Sequence, residues 1–260
     1  MKSKNDLWSA YRYGKKIKVV YYKCGSLSTP NRSGCSIDEA LLSTEEKLER
    51  FESSISRTKS KIFELAMCNE FEYFVTLTLD AEKQDRFALQ TFSKKFGQFV
   101  RDLNKKRPNG QKIEYLLIPE QHKDGAWHFH GLIKGLTKDD LKKNIRGYLE
   151  WFAYSKRFGF FNCSPLKSHE AACKYITKYV TKDVKKATAL KSGFHSYYAS
   201  QGLKRREVLN KNDFGLNLLF DPKGGFDFEN DWVKILWLEI SDNGELKERP
   251  EMSQIWYTEN

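Results

Sequence analysis

Two histidines separated by one residue, His128 and His130, form a possible metal-binding pair. They lie in the run Trp-His-Phe-His-Gly-Leu-Ile, whose residue types favour a β-strand. Side chains alternate between the faces of a strand, so both imidazoles are expected on one face, with Trp127 and Phe129 on the other. Two imidazoles on one face of a rigid strand can bind one metal ion.

A carboxylate is expected to complete this site. Glu120 precedes His128 by eight residues, and a turn near residues 124–125 would join their strands into a hairpin. Opposite residues of a hairpin lie about 5 Å apart, so Glu120 should lie level with His128. Such a set suits a divalent ion that also holds a phosphate oxygen, Mg²⁺ or Mn²⁺, although Zn²⁺ or Co²⁺ would also bind. Gln121 and His122 are the alternative third ligands.

Two tyrosines four residues apart, Tyr175 and Tyr179, are a second reactive pair. On a helix predicted over 168–186, at 100° per residue, they lie one turn apart between a lysine stripe and an apolar stripe, so their hydroxyls can reach one spot. A tyrosine is a poor nucleophile because its pKa is near 10, but neighbouring lysines are expected to favour the phenolate. The lysines expected to contact a phosphate backbone are Lys174, Lys178, Lys182 and Lys186.

The hydrophobic pattern predicts the elements that hold these residues. Their order is strand, helix, strand, strand, helix, strand, helix, which indicates an α+β fold with an antiparallel sheet at its centre. In chain order the predicted segments are 71–79, 87–104, 113–120, 127–134, 137–152, 160–163 and 168–186. Outside them we expect strands over 15–23 and 232–240, a loop over 24–37 and a helix from Ser43 towards Met67. This divides the chain into an N-terminal appendage of strand plus helix (1–70), a core domain (71–210) and a C-terminal extension (211–260).

The composition favours a polyanionic partner. The formal net charge is +11 and the pI about 9.2, and nucleic acid is the commonest partner of such a protein; the alternative is a basic protein whose lysines are merely solvated. No apolar run approaches the roughly 20 residues of a membrane span, so no membrane association is expected. Five cysteines without a Cys-x-x-Cys pair favour a reducing, cytoplasmic location.

Three blocks, in this order, resemble the motifs of HUH endonucleases: Phe74–Leu79, Glu120–Ile133 and Tyr175–Lys182. The closest similarity is to two-tyrosine rolling-circle replication initiators of small single-stranded DNA phages and related plasmids. The resemblance covers about residues 71–186, and Tyr197–Leu203 resembles a segment that follows the tyrosine helix in the phage proteins.

The resemblance implies an RRM-like HUH endonuclease domain in which helices flank a central five-stranded antiparallel sheet. It implies that His128, His130 and Glu120 hold a divalent metal, Mg²⁺ or Mn²⁺. It also places the histidines on a central strand of the sheet. Among the alternatives, a two-tyrosine transposase shares these motifs, and a non-catalytic RRM-like module would use the same side chains only to contact nucleic acid.

For chemistry, the resemblance implies that Tyr179 or Tyr175 attacks a scissile phosphate in single-stranded DNA at a replication origin. This leaves a 5′-phosphotyrosine and frees a 3′-OH, and the second tyrosine cleaves when the replication fork returns. Tyr179 is favoured as the first nucleophile, with Lys178 and Lys182 contacting the phosphate. The sequence lacks a Gly-x-x-x-x-Gly-Lys-[Ser/Thr] motif, so a helicase and a polymerase of a bacterial host cell are expected partners.

Overall fold

The chain divides into two compact units, residues 42–204 and residues 1–41 together with 205–260. Compactness does not test which segments fold independently, so the predicted domains 1–70, 71–210 and 211–260 stay predictions. The structure, a computed structural model, describes residues 8–23, 43–108, 110–145, 147–181, 195–210, 213, 226–230 and 233–247.

The described residues form strands in both units and helices in the larger one. The strands are β1 Trp8–Tyr13, β2 Lys16–Tyr22, β3 Tyr73–Leu79, β4 Glu114–Gln121, β5 Trp127–Lys134, β6 Leu141–Lys143, β7 Leu149–Trp151, β8 Gly159–Pro165, β9 Tyr198–Ala199, β10 Glu207–Leu209, β11 Phe228–Glu229 and β12 Val233–Glu239. The helices are α1 Thr44–Met67, α2 Leu89–Lys105, α3 Phe152–Arg157 and α4 His169–Ile176, followed by a 3-10 helix, Thr177–Tyr179.

An antiparallel sheet forms the centre of the larger unit, which confirms the α+β class. Its strand order is β6-β7-β8-β3-β5-β4-β9, so β5 with the two histidines is internal. The expected count of five strands is wrong, because seven strands join this sheet within the described residues. The extra strands include β9, where Tyr198 pairs with Leu117 of β4. The segment after the tyrosine helix therefore extends the sheet.

Helices cover both faces of this sheet. On one face, α2 and α3 pack aromatic rings against the alternating apolar side chains of β3 and β5. That core includes the fully buried rings Phe92, Phe96, Phe129, Trp151 and Phe158. On the other face, α1 packs against α4, and these two helices contact β4 and β5. The histidine face thus has a helical neighbour that carries the tyrosines.

Local sequence signals set where α1 and α4 begin. Ser43 and Glu46 form a reciprocal capping box at α1, as their spacing predicts. Ser168 caps α4, its hydroxyl accepting the N–H of Ala171 at 3.3 Å. Beyond α1, the buried side chain of Asn69 bonds the backbone of Lys204 in both directions. The predicted start of each helix is confirmed.

The helix predicted over 137–152 is wrong, because this segment begins with a turn and continues as the β6-β7 hairpin. The Asp140 carboxylate accepts the N–H and hydroxyl of Thr137 and pairs with the Arg107 guanidinium, which fixes the turn. Gly147, at φ +79°, lies in the hairpin loop. The apolar residues at helical spacing misled the sequence-based prediction, since Ile145 is fully exposed.

The smaller unit contains a five-stranded antiparallel sheet within the described residues, in the order β10-β1-β2-β12-β11. The strands predicted over 15–23 and 232–240 are confirmed as β2 and β12, whereas β1 was not predicted. The predicted loop over 24–37 and most of the 211–260 extension lie outside the described residues. None of the helices in the described part of the chain combines the length and hydrophobicity that a membrane crossing requires.

Candidate active site

The β4-β5 hairpin sets the register of the predicted ligands. Glu120 pairs directly with His128, as the chain spacing predicts. The Glu120 carboxylate, however, bonds the next histidine on that face, with His130 Nε2 donating to Glu120 Oε2 at 2.7 Å. The predicted three side chains therefore lie together on one face of the sheet.

Two threonines of β3 orient the histidines from the other side. Thr76 pairs with His130 and Thr78 with His128 across the β3-β5 ladder. The Thr76 hydroxyl lies 3.3 Å from His130 Nδ1, and the Thr78 hydroxyl lies 3.1 Å from His128 Nδ1. These contacts leave Nε2 of each ring towards the open side of the face. Sequence reasoning missed this role, although the alternation Thr-x-Thr in β3 matches the alternation His-x-His in β5.

Burial keeps both histidines neutral. Desolvation lowers the pKa of His128, and the neighbouring His122 and His130 lower it further. Burial also lowers the pKa of His130, although the Glu120 carboxylate opposes this. Metal ligation requires the neutral imidazole, so the environment favours the form that binds metal.

The alternative third ligands differ in position. The His122 ring stacks on the His128 ring, with centroids 3.6 Å apart, so it borders the site. Gln121 pairs with Trp127, on the opposite face from His128, and its amide bonds the Gly125 carbonyl. Within the described part of the chain, no group of three or more His, Cys, Asp or Glu side chains is arranged to hold a metal ion. The ligand set His128, His130 and Glu120 therefore stays a prediction.

The two tyrosines meet over this face. Tyr179 stacks on the ring of His130, with centroids 3.9 Å apart and planes 17° apart. Its hydroxyl donates to the Tyr175 hydroxyl at 3.1 Å, which confirms that the two oxygens reach one spot. Phe74 of β3 contacts both tyrosine rings and the His130 ring. Sequence reasoning assigned Phe74 to a motif but gave it no contact.

The helical path differs from the prediction. The α-helix ends at Ile176, and Tyr179 lies in the following 3-10 helix rather than in one helix over 168–186. Ile176 and Val180 are buried, as the apolar stripe predicts. Lys182 and Lys186 lie outside the described residues.

The expected activation of Tyr179 as a phenolate is wrong for this arrangement. Burial raises its pKa above the ordinary value, and the hydrogen bond with Tyr175 and the charge of Glu120 raise it further. The Lys178 ammonium lies over the Tyr175 ring, 5.5 Å from its centroid. Lys174 is 4.0 Å from the Glu170 carboxylate. Tyr179 is accordingly a protonated phenol at neutral pH.

Comparison with known families bears on the same segment. Residues 72–184 match the family model of the replication-associated protein ORF2. This match runs from β3 through the histidine strand to the tyrosines, and it confirms the resemblance to rolling-circle replication initiators over these residues. It supports a role in initiating replication. Neither the curated proteins nor the solved structures gave a significant match.

Proposed function

We propose that this protein initiates rolling-circle replication by nicking and rejoining single-stranded DNA at an origin through a 5′-phosphotyrosine intermediate. One observation carries the proposal: the hydroxyls of Tyr175 and Tyr179 meet beside His130, whose Nε2 bonds Glu120. A nucleophile pair, a metal-ligand set and a replication-associated family match then fall on one face of one sheet. The order of the longer strands, β8-β3-β5-β4, supports an RRM-like HUH domain.

The donor set fits a divalent metal. Thr76 and Thr78 occupy Nδ1 of the two histidines, so Nε2 of His128 and His130 is the nitrogen available for ligation, beside the Glu120 carboxylate. Imidazole nitrogen with carboxylate oxygen is compatible with Mn²⁺ and with Mg²⁺. When bound, the ion would neutralise charge on a phosphate oxygen and make phosphorus more electrophilic.

The protein's own groups then account for binding and proton movement. Attack forms a bond from the tyrosine Oη to phosphorus and breaks the bond to the 3′ oxygen, which leaves as a 3′-OH after gaining a proton. Because the pKa of Tyr179 is raised, its phenol proton must leave during the attack. Lys178 and Lys174, both exposed, border the tyrosines and would contact the DNA backbone. Lys182 and Lys186 are proposed to do the same.

A covalent adduct tests the proposal. The protein is incubated with Mn²⁺ and single-stranded DNA from candidate origins, and denaturing electrophoresis measures protein–DNA adduct. We expect an adduct that EDTA prevents and that Tyr175→Phe with Tyr179→Phe abolishes. Tyr148→Phe is the matched control, because Tyr148 is also exposed in the larger unit and lies outside the site. An adduct that survives the double substitution would refute the nucleophile assignment, and DNA binding without any adduct would favour a non-catalytic module.

Single substitutions test the order of attack. Tyr179 stacks on His130, whereas Tyr175 contacts it only through Tyr179 and Phe74. We therefore propose Tyr179 as the first nucleophile, so Tyr175→Phe should still nick but close circles poorly. The opposite pattern would reverse the order. A host helicase and polymerase in a bacterial cytoplasm complete the proposed reaction.

A further inference from the structure

The register of the sheet places β8 directly beside the candidate site. Thr78 pairs with His128 on one side and with Phe160 of β8 on the other. One residue pair further along β3, Thr76 pairs with His130 and with Asn162. Residues in one row of a sheet share a face, so Phe160 and Asn162 lie on the histidine face. Two strand spacings separate Phe160 from His128, about 10 Å.

The side chains of β8 divide sharply between the two faces. Phe161 and Cys163 are buried in the aromatic core, whereas Phe160 and Asn162 are exposed. Phe160 leaves 69% of its surface accessible, the largest exposure among the phenylalanines of the described residues that have exposed rings. An aromatic ring on an open sheet face, followed on that face by an amide, has the groups that contact a nucleobase by stacking and by hydrogen bonding.

We propose that Phe160 and Asn162 form a nucleobase subsite, in which Phe160 stacks on a base of the single-stranded DNA next to the scissile phosphate. This inference rests on the proposed function and names how its substrate is positioned. The row from Glu120 through His128 and Thr78 to Phe160 gives the strand a continuous path from the reacting phosphate to the ring. The net charge of +11 suits the phosphates of such a strand.

A base is the occupant that these observations favour. Stacking on an exposed ring tolerates any base but requires that the base be unpaired, so it selects single-stranded over duplex DNA. The hydroxyls of Thr76 and Thr78 already contact the histidines, which leaves the Asn162 amide as the polar group of that face nearest to Phe160 along β8. The subsite would therefore set which nucleotide lies at the nucleophiles.

Fluorescence anisotropy with labelled oligothymidylate of roughly 15 nucleotides tests the subsite. The Tyr175→Phe, Tyr179→Phe double variant serves as background, so that binding is measured without cleavage. On it, Phe160→Ala is expected to weaken binding about tenfold, and Phe160→Trp to preserve it. The dependence on salt should not change, because no phosphate contact is lost. Phe152→Ala is the matched control, since Phe152 is 60% exposed on α3 and is expected to leave affinity unchanged.

Each result separates the subsite from the proposed function. Equal affinities of Phe160→Ala and Phe152→Ala would overturn the subsite, even where the unmutated protein forms the covalent adduct. An equal loss of duplex and single-strand binding in Phe160→Ala would also overturn it. Conversely, a selective loss of single-strand binding together with no adduct formation would support the subsite and refute the nicking activity. Circular dichroism confirms that each variant is folded.

Discussion

Replacing Gly131 with alanine should disrupt the sheet next to the histidines. Gly131 follows His130 in β5 and lies between Val75 of β3 and Leu117 of β4. A Cβ built there overlaps Leu117 Cδ2 and lies 2.6 Å from the backbone oxygen of Leu116. The leucine side chain can rotate away, but the backbone oxygen belongs to the paired strand. The β4-β5 ladder must therefore shift.

The size of that shift sets the magnitude. The Leu116 oxygen lies about 0.8 Å inside the shortest ordinary contact of 3.4 Å. Overpacking of a well-packed core costs about 1–3 kcal/mol, and a clash with backbone belongs in the upper half of that range. We expect Gly131→Ala to lower the free energy of unfolding by about 2–3 kcal/mol. For a unit of this size, this corresponds to a fall in Tm of about 4–12 °C.

Urea denaturation followed by circular dichroism measures this loss. Gly97→Ala is the matched control, because its Cβ would lie 3.4 Å from Arg101 Nη1 and Tyr115 Oη without overlap. Gly97 lies within α2, where alanine is favoured over glycine by about 1 kcal/mol, so this variant should be neutral or stabilised. A Gly131→Ala protein within about 0.5 kcal/mol of the unmutated protein would refute the argument from close strand approach.

Two further changes test the site and the turn after β5. Thr76→Val keeps the shape of the strand but removes the hydroxyl that contacts His130 Nδ1, so adduct formation should slow about tenfold while Thr76→Ser retains the rate; equal rates for all three would contradict an orienting role. Burial opposes ionisation of Asp140, but hydrogen bonds from Thr137 and Arg107 outweigh it and lower its pKa. Its contribution to stability is present above about pH 4 and is lost as the pH falls through the lowered folded pKa, so the difference in urea midpoint between Asp140→Asn and the unmutated protein should narrow in acid. A difference that does not change with pH would contradict this.

The hairpin and its register could be predicted because they depend on short-range chemistry. A turn between two runs of strand-forming residues fixes which residues face each other, and Glu120 did lie opposite His128. The same holds for the caps of α1 and α4, which depend on Ser43 and Ser168. Where a residue's neighbours in sequence decide its structure, pattern and propensity are sufficient.

Contacts between distant segments could not be read from the sequence. Stacking of Tyr179 on His130 depends on where α4 gives way to a 3-10 helix above β5, and no local pattern marks that change. The raised pKa of Tyr179 follows from the same burial. The segment over 137–152 failed for a related reason, since the buried Trp151 belongs to a strand and not to a helix. Tertiary packing overrode the helical spacing there.

On the proposed function, the hydrogen bond between the tyrosines explains how one metal site could serve two cleavages. The two hydroxyl oxygens are 3.1 Å apart, so a phosphate at one is within a side-chain rotation of the other. Phe74 contacts both rings and thus supports either tyrosine against the sheet. When one tyrosine is bonded to DNA, its oxygen no longer exchanges this hydrogen bond, and the second hydroxyl is free to attack. The exchange needs no movement of the histidines, which Thr76 and Thr78 contact throughout.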